Sequence, residues 1–291
     1  MRASGARASL RAKAKIRSIV GAAVLAVFVP WFAAGATNRG RAPQSSTNMT
    51  RPVPQPNIES SLGRVAPSTP TSSTPERAPA PAPEWLVADA AGPDVLVYAP
   101  VATTGPHPVV VFLHGMCGAP EYECPALARA VTTKAFLVCP RAPNACTNGG
   151  SRWGSNDRAG LIESVVDRVK QRFGDRVDDH ERTLMGFSEG AFVALAVGEH
   201  DARAWPRLAL IGAKISPDIT QLKRHGVVRL LLAAGDFDLS RPQMASVARR
   251  LRASGVDCTF SSLGKVGHRF AVEMDAWTKT ALDWLDGGQA G

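Results

Sequence analysis

Residues 84–291 predict an α/β fold, a doubly wound and mostly parallel sheet with helices on both faces. Three observations carry that expectation. β-rich runs alternate with helical patterns along the whole stretch. The β-rich runs are continuously apolar, as strands are when both faces of a parallel sheet are covered. At one strand-to-helix junction sits the pentad Gly-Phe-Ser-Glu-Gly, residues 186–190.

The elements follow in order. "DVLVYAP" (94–100) and "PVVVFLHG" (108–115) are the first strands. A helix-like stretch over 121–133 leads to the strand "AFLVCP" (135–140). Over 156–173, Leu161, Ile162, Val165, Val166 and Val169 have the spacing of an amphipathic helix, with Ser155 as N-cap and Gly174 as stop. "RTLMGF" (182–187) is the strand before a helix that starts at Ser188. "RLALIGA" (207–213) and "VVRLLLAAG" (227–235) come next, then a helix near 242–253, the strand "VDCTFSSLG" (256–264) and a helix near 270–285. Strand order cannot be read this way.

The formal net charge of +9 raises the question of a polyanionic partner. All of the excess lies in the first 83 residues, and residues 84–291 carry equal numbers of acidic and basic side chains. A neutral domain has no electrostatic footprint for a phosphate backbone, so nucleic-acid binding by the folded part is not expected.

Residues 1–36 have the layout of a secretory signal: six basic residues and no acid, the apolar run 19–34, then Ala34, Gly35 and Ala36 as a small-x-small cleavage pattern. Cleavage after Ala36 is expected, followed by secretion or retention in the cell envelope. The run is shorter than a membrane span needs and Pro30 interrupts it, so contact with a membrane is expected only if the segment stays uncleaved. Residues 37–83 contain ten prolines among Ser, Thr, Ala and Gln, the composition of a semi-stiff disordered spacer.

Cys117/Cys124 and Cys139/Cys146 form two pairs, each seven residues apart, and Cys258 stands alone in a strand-like run. In an exported protein two disulfides and one buried thiol are expected. Four cysteines permit three connectivities, of which 117–124 with 139–146 is the expected one. No histidine lies at zinc-ligand spacing near either pair, so no metal is expected, and nothing implies a cofactor.

The pentad's context carries the chemistry. An apolar strand before it and "AFVALAVG" after it are the setting of a nucleophile elbow, in which a serine sits on a strained strand-to-helix turn. Small residues are needed at 186 and 190 because side chains there would strike the adjoining strand and helix. A serine needs a base, and the base needs an orienting acid. In sheets with this elbow the chain order is serine, acid, histidine, each at the C-terminal end of a strand. His268 in "GKVGHRF" follows the last strand and is the expected base. His200 and His225 lie at polar helix ends. Asp236 and Asp238 in "GDFD" both qualify as the acid by position.

The matched pieces "HGMCG", "GFSEGA", "GDFD" and "GHRF" stand in the order and at the spacing of the α/β-hydrolase superfamily. Over about 94–285 the chain resembles its dienelactone-hydrolase-like and carboxylesterase-like members. The resemblance implies that the acid ends a G-x-x-D motif, which favours Asp238, with Asp236 capping or bracing the loop. It implies that the Met116 amide joins that of Glu189 as an oxyanion hole, and that His114, on the wrong side of the serine, is structural. The chain departs from dienelactone hydrolases in having serine at the elbow, so their lactone substrate is not carried over. Only residues 214–226 separate two strands where many lipases of the superfamily insert a lid, so an open site is expected. Trp153 either flanks the pocket or packs its loop; Phe187 and Glu189 adjoin the nucleophile.

These readings predict an exported serine hydrolase acting on small or polymeric carboxylic esters through Ser188, His268 and Asp238. A peptidase or polyester depolymerase with the same three residues is the alternative within enzymes. A tethered binding protein with an idle site is the alternative outside them.

Overall fold

The computed structural model describes residues 79–87, 92–154, 158–201 and 203–288. The expected signal segment, nearly all of the spacer and the Ser155 cap lie outside them. No helix among the described residues is long and apolar enough to cross a membrane.

Among the described residues ten strands and seven α-helices follow one another. β1 (Glu84–Leu86), β2 (Val95–Tyr98) and β3 (His107–Leu113) precede two short helices, α1 (Pro120–Glu123) and α2 (Pro125–Val131). β4 (Phe136–Pro140) is followed by a two-stranded hairpin, β5 (Asn144–Ala145) and β6 (Ser151–Arg152), then α3 (Arg158–Phe173). β7 (Val177–Phe187) feeds α4 (Glu189–His200); β8 (Arg207–Ile211), α5 (Ile219–Arg224), β9 (Arg229–Ala234), α6 (Arg241–Ala253), β10 (Asp257–Ser262) and α7 (Met274–Leu285) follow in turn.

Eight strands form one sheet in the order β1-β2-β4-β3-β7-β8-β9-β10. From β4 to β10 all neighbours are parallel, while β2 pairs antiparallel with both β1 and β4. One face is covered by α3, α4, α5 and α6, which bury Ile162, Val165, Val193, Leu222, Met244 and Val247. The other is covered by α2 and α7, through Leu127, Val131, Ala281 and Leu285. With both faces dry, the inner strands satisfy their polar backbone groups only in the ladder, which is why they read as unbroken apolar runs.

Several elements differ from expectation. The helix expected over 121–133 is split at Cys124, because Pro125 has no N–H to continue it and instead opens α2. β7 begins at Val177 rather than 182, its polar start pairing with His107 and Pro108 before a register shift. The β5–β6 hairpin and the edge strand β1 were not foreseen, being only two and three residues long.

The disulfide pairing is a correction. The bonds are Cys117–Cys146 and Cys124–Cys139, not 117–124 and 139–146. Each cysteine bonds a partner on another element of the fold rather than its neighbour along the chain. Cys124 starts α2, and with Cys139 of β4 it lies fully buried in the core under that helix. Cys117 lies in the turn after β3, against the β5–β6 hairpin. Cys258 is a buried free thiol, and burial pushes its pKa up to about 12.

Candidate active site

The C-terminal ends of β3, β7, β9 and β10 converge on one edge of the sheet. β7 ends at Phe187 and α4 begins at Glu189, so a single residue, Ser188, makes the reversal, at φ 54°, ψ −114°. A non-glycine residue there is strained by about 1–3 kcal/mol and persists only where its surroundings hold it. Two glycines make the turn possible. A Cβ on Gly186 would lie 2.2 Å from the Gly190 carbonyl oxygen, and one on Gly190 would lie 2.1 Å from that of Leu113 in β3. The Ser188 amide is anchored on the Ile211 carbonyl at 2.8 Å.

His268 Nε2 lies 2.9 Å from Ser188 Oγ, and its Nδ1 lies 2.8 Å from Asp238 Oδ2. The Phe187 ring stacks on the imidazole, centroids 5.1 Å apart. Asp238 is almost wholly buried, and its Oδ1 accepts the Ser240 amide at 2.7 Å. Burial alone would raise its pKa; hydrogen bonds from Ser240 and from His268 outweigh it and hold the carboxyl below its ordinary value. Asp236 is turned away from His268: it accepts the Ser262 hydroxyl at 2.7 Å and pairs with Arg241, bracing β10 against the β9–α6 loop.

Met116 follows β3 in a turn closed by the Gly118 amide on the Gly115 carbonyl at 3.0 Å. Cys117 within that turn has φ 55°, a left-handed conformation that its disulfide to Cys146 helps to hold. The hairpin reinforces the clamp: Asn148 Nδ2 donates to the Cys117 carbonyl at 3.1 Å, and the Ser151 amide to that of Gly118 at 2.9 Å. Among the described residues neither the Met116 amide nor the Glu189 amide has a hydrogen-bond acceptor. Glu189 stands at the first position of α4, where helix amides favour negative charge.

His114 is buried. Its Nδ1 donates to the Gly115 carbonyl at 2.8 Å, and its Nε2 accepts the Ala142 amide at 3.2 Å. Burial lowers its pKa, which suits a neutral ring knitting loops together. Trp153 is also buried. Its Nε1–H donates to the His114 carbonyl at 2.9 Å, and its amide donates to the Glu189 carboxylate at 3.0 Å. Of the two readings of Trp153, packing of the loop is the one the geometry matches. The Glu189 side chain is thereby spent on bracing rather than on shaping a pocket.

One supporting group had no signal in the sequence. The Glu123 carboxyl, in α1, accepts the Gly115 amide at 3.2 Å, and burial raises its pKa to about 7 against the effect of that hydrogen bond. "PEYE" has no motif that announces it. Residues 214–226 hold only α5, so the edge of the sheet above Ser188 carries no insertion there. Among the described residues no three His, Cys, Asp or Glu side chains are grouped so as to hold a metal.

No protein-family model matches this chain, and no curated protein matches it in sequence. Solved structures do match. The chain is similar to a ferulic acid esterase, with 16% identity, 70% of this chain and 96% of that one covered, and a TM-score of 0.54. It is also similar to the substrate-bound FphF of Staphylococcus aureus, a fluorophosphonate-binding serine hydrolase, with 15% identity, 66% and 92% covered, and a TM-score of 0.52. What is shared at that identity is the architecture: the chain has the α/β-hydrolase fold.

Proposed function

We propose that this protein is an exported serine hydrolase that cleaves carboxylic esters through an acyl-enzyme. The observation that carries the reading is the run of contacts from Ser188 Oγ to His268 Nε2 and from His268 Nδ1 to Asp238 Oδ2, at 2.9 and 2.8 Å, on a strained elbow. A hydroxyl, an imidazole and a buried carboxylate so arranged make a nucleophile, a base and its orienting acid. The names of the two structural neighbours, an esterase and a serine hydrolase, agree with it.

Ser188 Oγ attacks the ester carbonyl carbon while His268 Nε2 takes its proton, and Asp238 holds Nδ1–H and stabilises the imidazolium. The amides of Met116 and Glu189 receive the negative charge on the carbonyl oxygen. As the tetrahedral intermediate collapses, the bond from carbon to the leaving oxygen breaks and that oxygen takes the proton from His268. Water, deprotonated by His268, then attacks the acyl-serine. Its collapse releases the acid and returns the proton to Ser188.

A fluorophosphonate probe should label the protein at one site, and Ser188→Ala should abolish the labelling. Labelling that survives the substitution would sink the reading. Export is supported by the N-terminal layout together with two disulfides, which persist in oxidising compartments. N-terminal sequencing of the mature protein should find Thr37 first; an intact Met1 would overturn the cleavage.

A further inference from the structure

Beside His268 opens a cavity of about 390 Å³, within the range of small-molecule sites, lined by the loops after β8 and β9 and by the first turn of α4. Its wall is unusual for a water-facing surface. Phe192, Phe237 and Leu239 line it and are 47%, 71% and 85% exposed. Phe237 and Leu239 flank Asp238 in a loop held from below by Asp238 and Asp236, so they are displayed on a braced platform rather than on a loose loop. Three large apolar side chains left in water on one cavity mark a ligand surface rather than chance exposure.

Charge adds a second feature. Asp238 is taken up by His268 and Ser240, and among the described residues lining the cavity Lys214 is the one lysine or arginine. Among the described residues Lys214 enters no ion pair. A cation at the rim of an apolar cavity complements a ligand with an apolar body and an anionic end. The chemistry also assigns the side of the substrate. In acylation the leaving oxygen must lie within hydrogen-bond reach of His268 to receive its proton, so the alcohol portion lies on the side of the imidazole, where this cavity is.

We propose that the cavity of Phe192, Phe237, Leu239 and Lys214 binds the alcohol portion of the ester, and that the preferred alcohol is an aryl or similarly bulky apolar group with a carboxylate. The proposal rests on the ester-hydrolase reading and names the substrate class for that site. Lys214 contributes specificity rather than chemistry.

The test holds the acyl group at acetyl and varies the alcohol. Hydrolysis of 4-acetoxybenzoate, of its neutral methyl ester, of 2-naphthyl acetate and of ethyl acetate is measured for the full exported chain and for Lys214→Met and Phe237→Ser. Comparing ratios of kcat/KM between variants cancels the intrinsic reactivity of each ester. Lys214→Met should lower the ratio of carboxylate to neutral ester by roughly fivefold, the most that an exposed ion pair commonly gives, and 0.5 M salt should shrink the difference. Phe237→Ser should lower the ratio of 2-naphthyl to ethyl acetate by about tenfold, as loss of an aryl contact surface predicts. Unchanged ratios in both variants overturn the proposal. With 2-naphthyl butyrate added as a control substrate, a Phe237→Ser shift in the butyrate-to-acetate ratio beside an unchanged 2-naphthyl-to-ethyl ratio also overturns it, because the cavity would then hold the acyl side. Ser188→Ala separates the two failures: ester hydrolysis that persists in it refutes the underlying reading, whereas loss of hydrolysis with unchanged ratios refutes only the cavity assignment.

Discussion

The assignment of Asp238 as orienting acid can be tested by removing one charge and nothing else. In Asp238→Asn the side chain keeps its shape, but its two ends are no longer equivalent. One end must still accept the Ser240 amide, now 2.7 Å from Oδ1, and only the amide oxygen can do so. The NH2 group is therefore turned toward His268 Nδ1, at the 2.8 Å contact that Oδ2 now fills. A donor there needs Nδ1 as acceptor, so the imidazole proton moves to Nε2, the nitrogen facing Ser188 Oγ at 2.9 Å. That ring cannot take the serine proton. The expected fall in kcat is about 10⁴-fold, roughly 5.5 kcal/mol of barrier, with the fold retained because the volume and the Ser240 contact survive. Ser188→Ala should cost at least as much, and the double variant little more, since the three groups act as a unit. Asp236→Asn is the control: its partners are Ser262 and Arg241, an asparagine oxygen still accepts the hydroxyl, and the loss should be about tenfold or less. The assay is hydrolysis of short p-nitrophenyl esters, with a thermal melt of each variant to verify folding. A mild Asp238→Asn beside a crippled Asp236→Asn would refute the argument.

Peptide mapping without reduction should recover the pairs 117–146 and 124–139, with Cys258 resisting alkylation until the chain is unfolded; seven-residue loops in the map would contradict the chain path. Replacing Cys117 and Cys146 by serine should lower stability by about 3 kcal/mol, from a bond that spans 29 residues, and should lower kcat because the strained turn carrying Met116 is released. The Glu123 carboxyl has a pKa near 7 in the folded protein and an ordinary one unfolded, so the native state binds the extra proton. Stability should therefore fall as pH rises from about 4.5 to 7, and Glu123→Gln, which still accepts the Gly115 amide, should flatten that slope in urea melts taken across the interval. Trp153→Phe keeps the ring but leaves the buried His114 carbonyl without its 2.9 Å donor, which should cost about 1–3 kcal/mol; an unchanged melting temperature would mean the bond contributes nothing.

Local rules were enough for the elements and for the elbow. A strand, a strained serine and a helix occupy consecutive residues, and Gly186 is needed by a contact only four residues on, with the Gly190 carbonyl, so the pentad announced its own conformation; Gly190 is needed by Leu113 of β3, a neighbour only in the folded sheet. The unbroken apolar runs of β8 and β9 announced burial on both sides for the same local reason. The choice between Asp236 and Asp238 was beyond such rules. The two residues share a loop and a charge, two and four residues beyond the end of β9, and what separates them is which one meets His268, far along the chain. The cysteines failed in the same way. Spacing along the chain favoured 117 with 124, but α2 packs on β4 and the hairpin folds back over the turn after β3, so each cysteine meets a partner from another element. Trp153 beneath the His114 carbonyl and the cavity that Phe237 and Leu239 share with Phe192 are products of packing between elements distant in the chain, while Glu123 reaches the Gly115 amide only eight residues away, through a turn with no motif to announce it. Backbone periodicity acts over one or two turns of chain and can be read directly, whereas the register of one element against another exists only after the sheet has closed around its core.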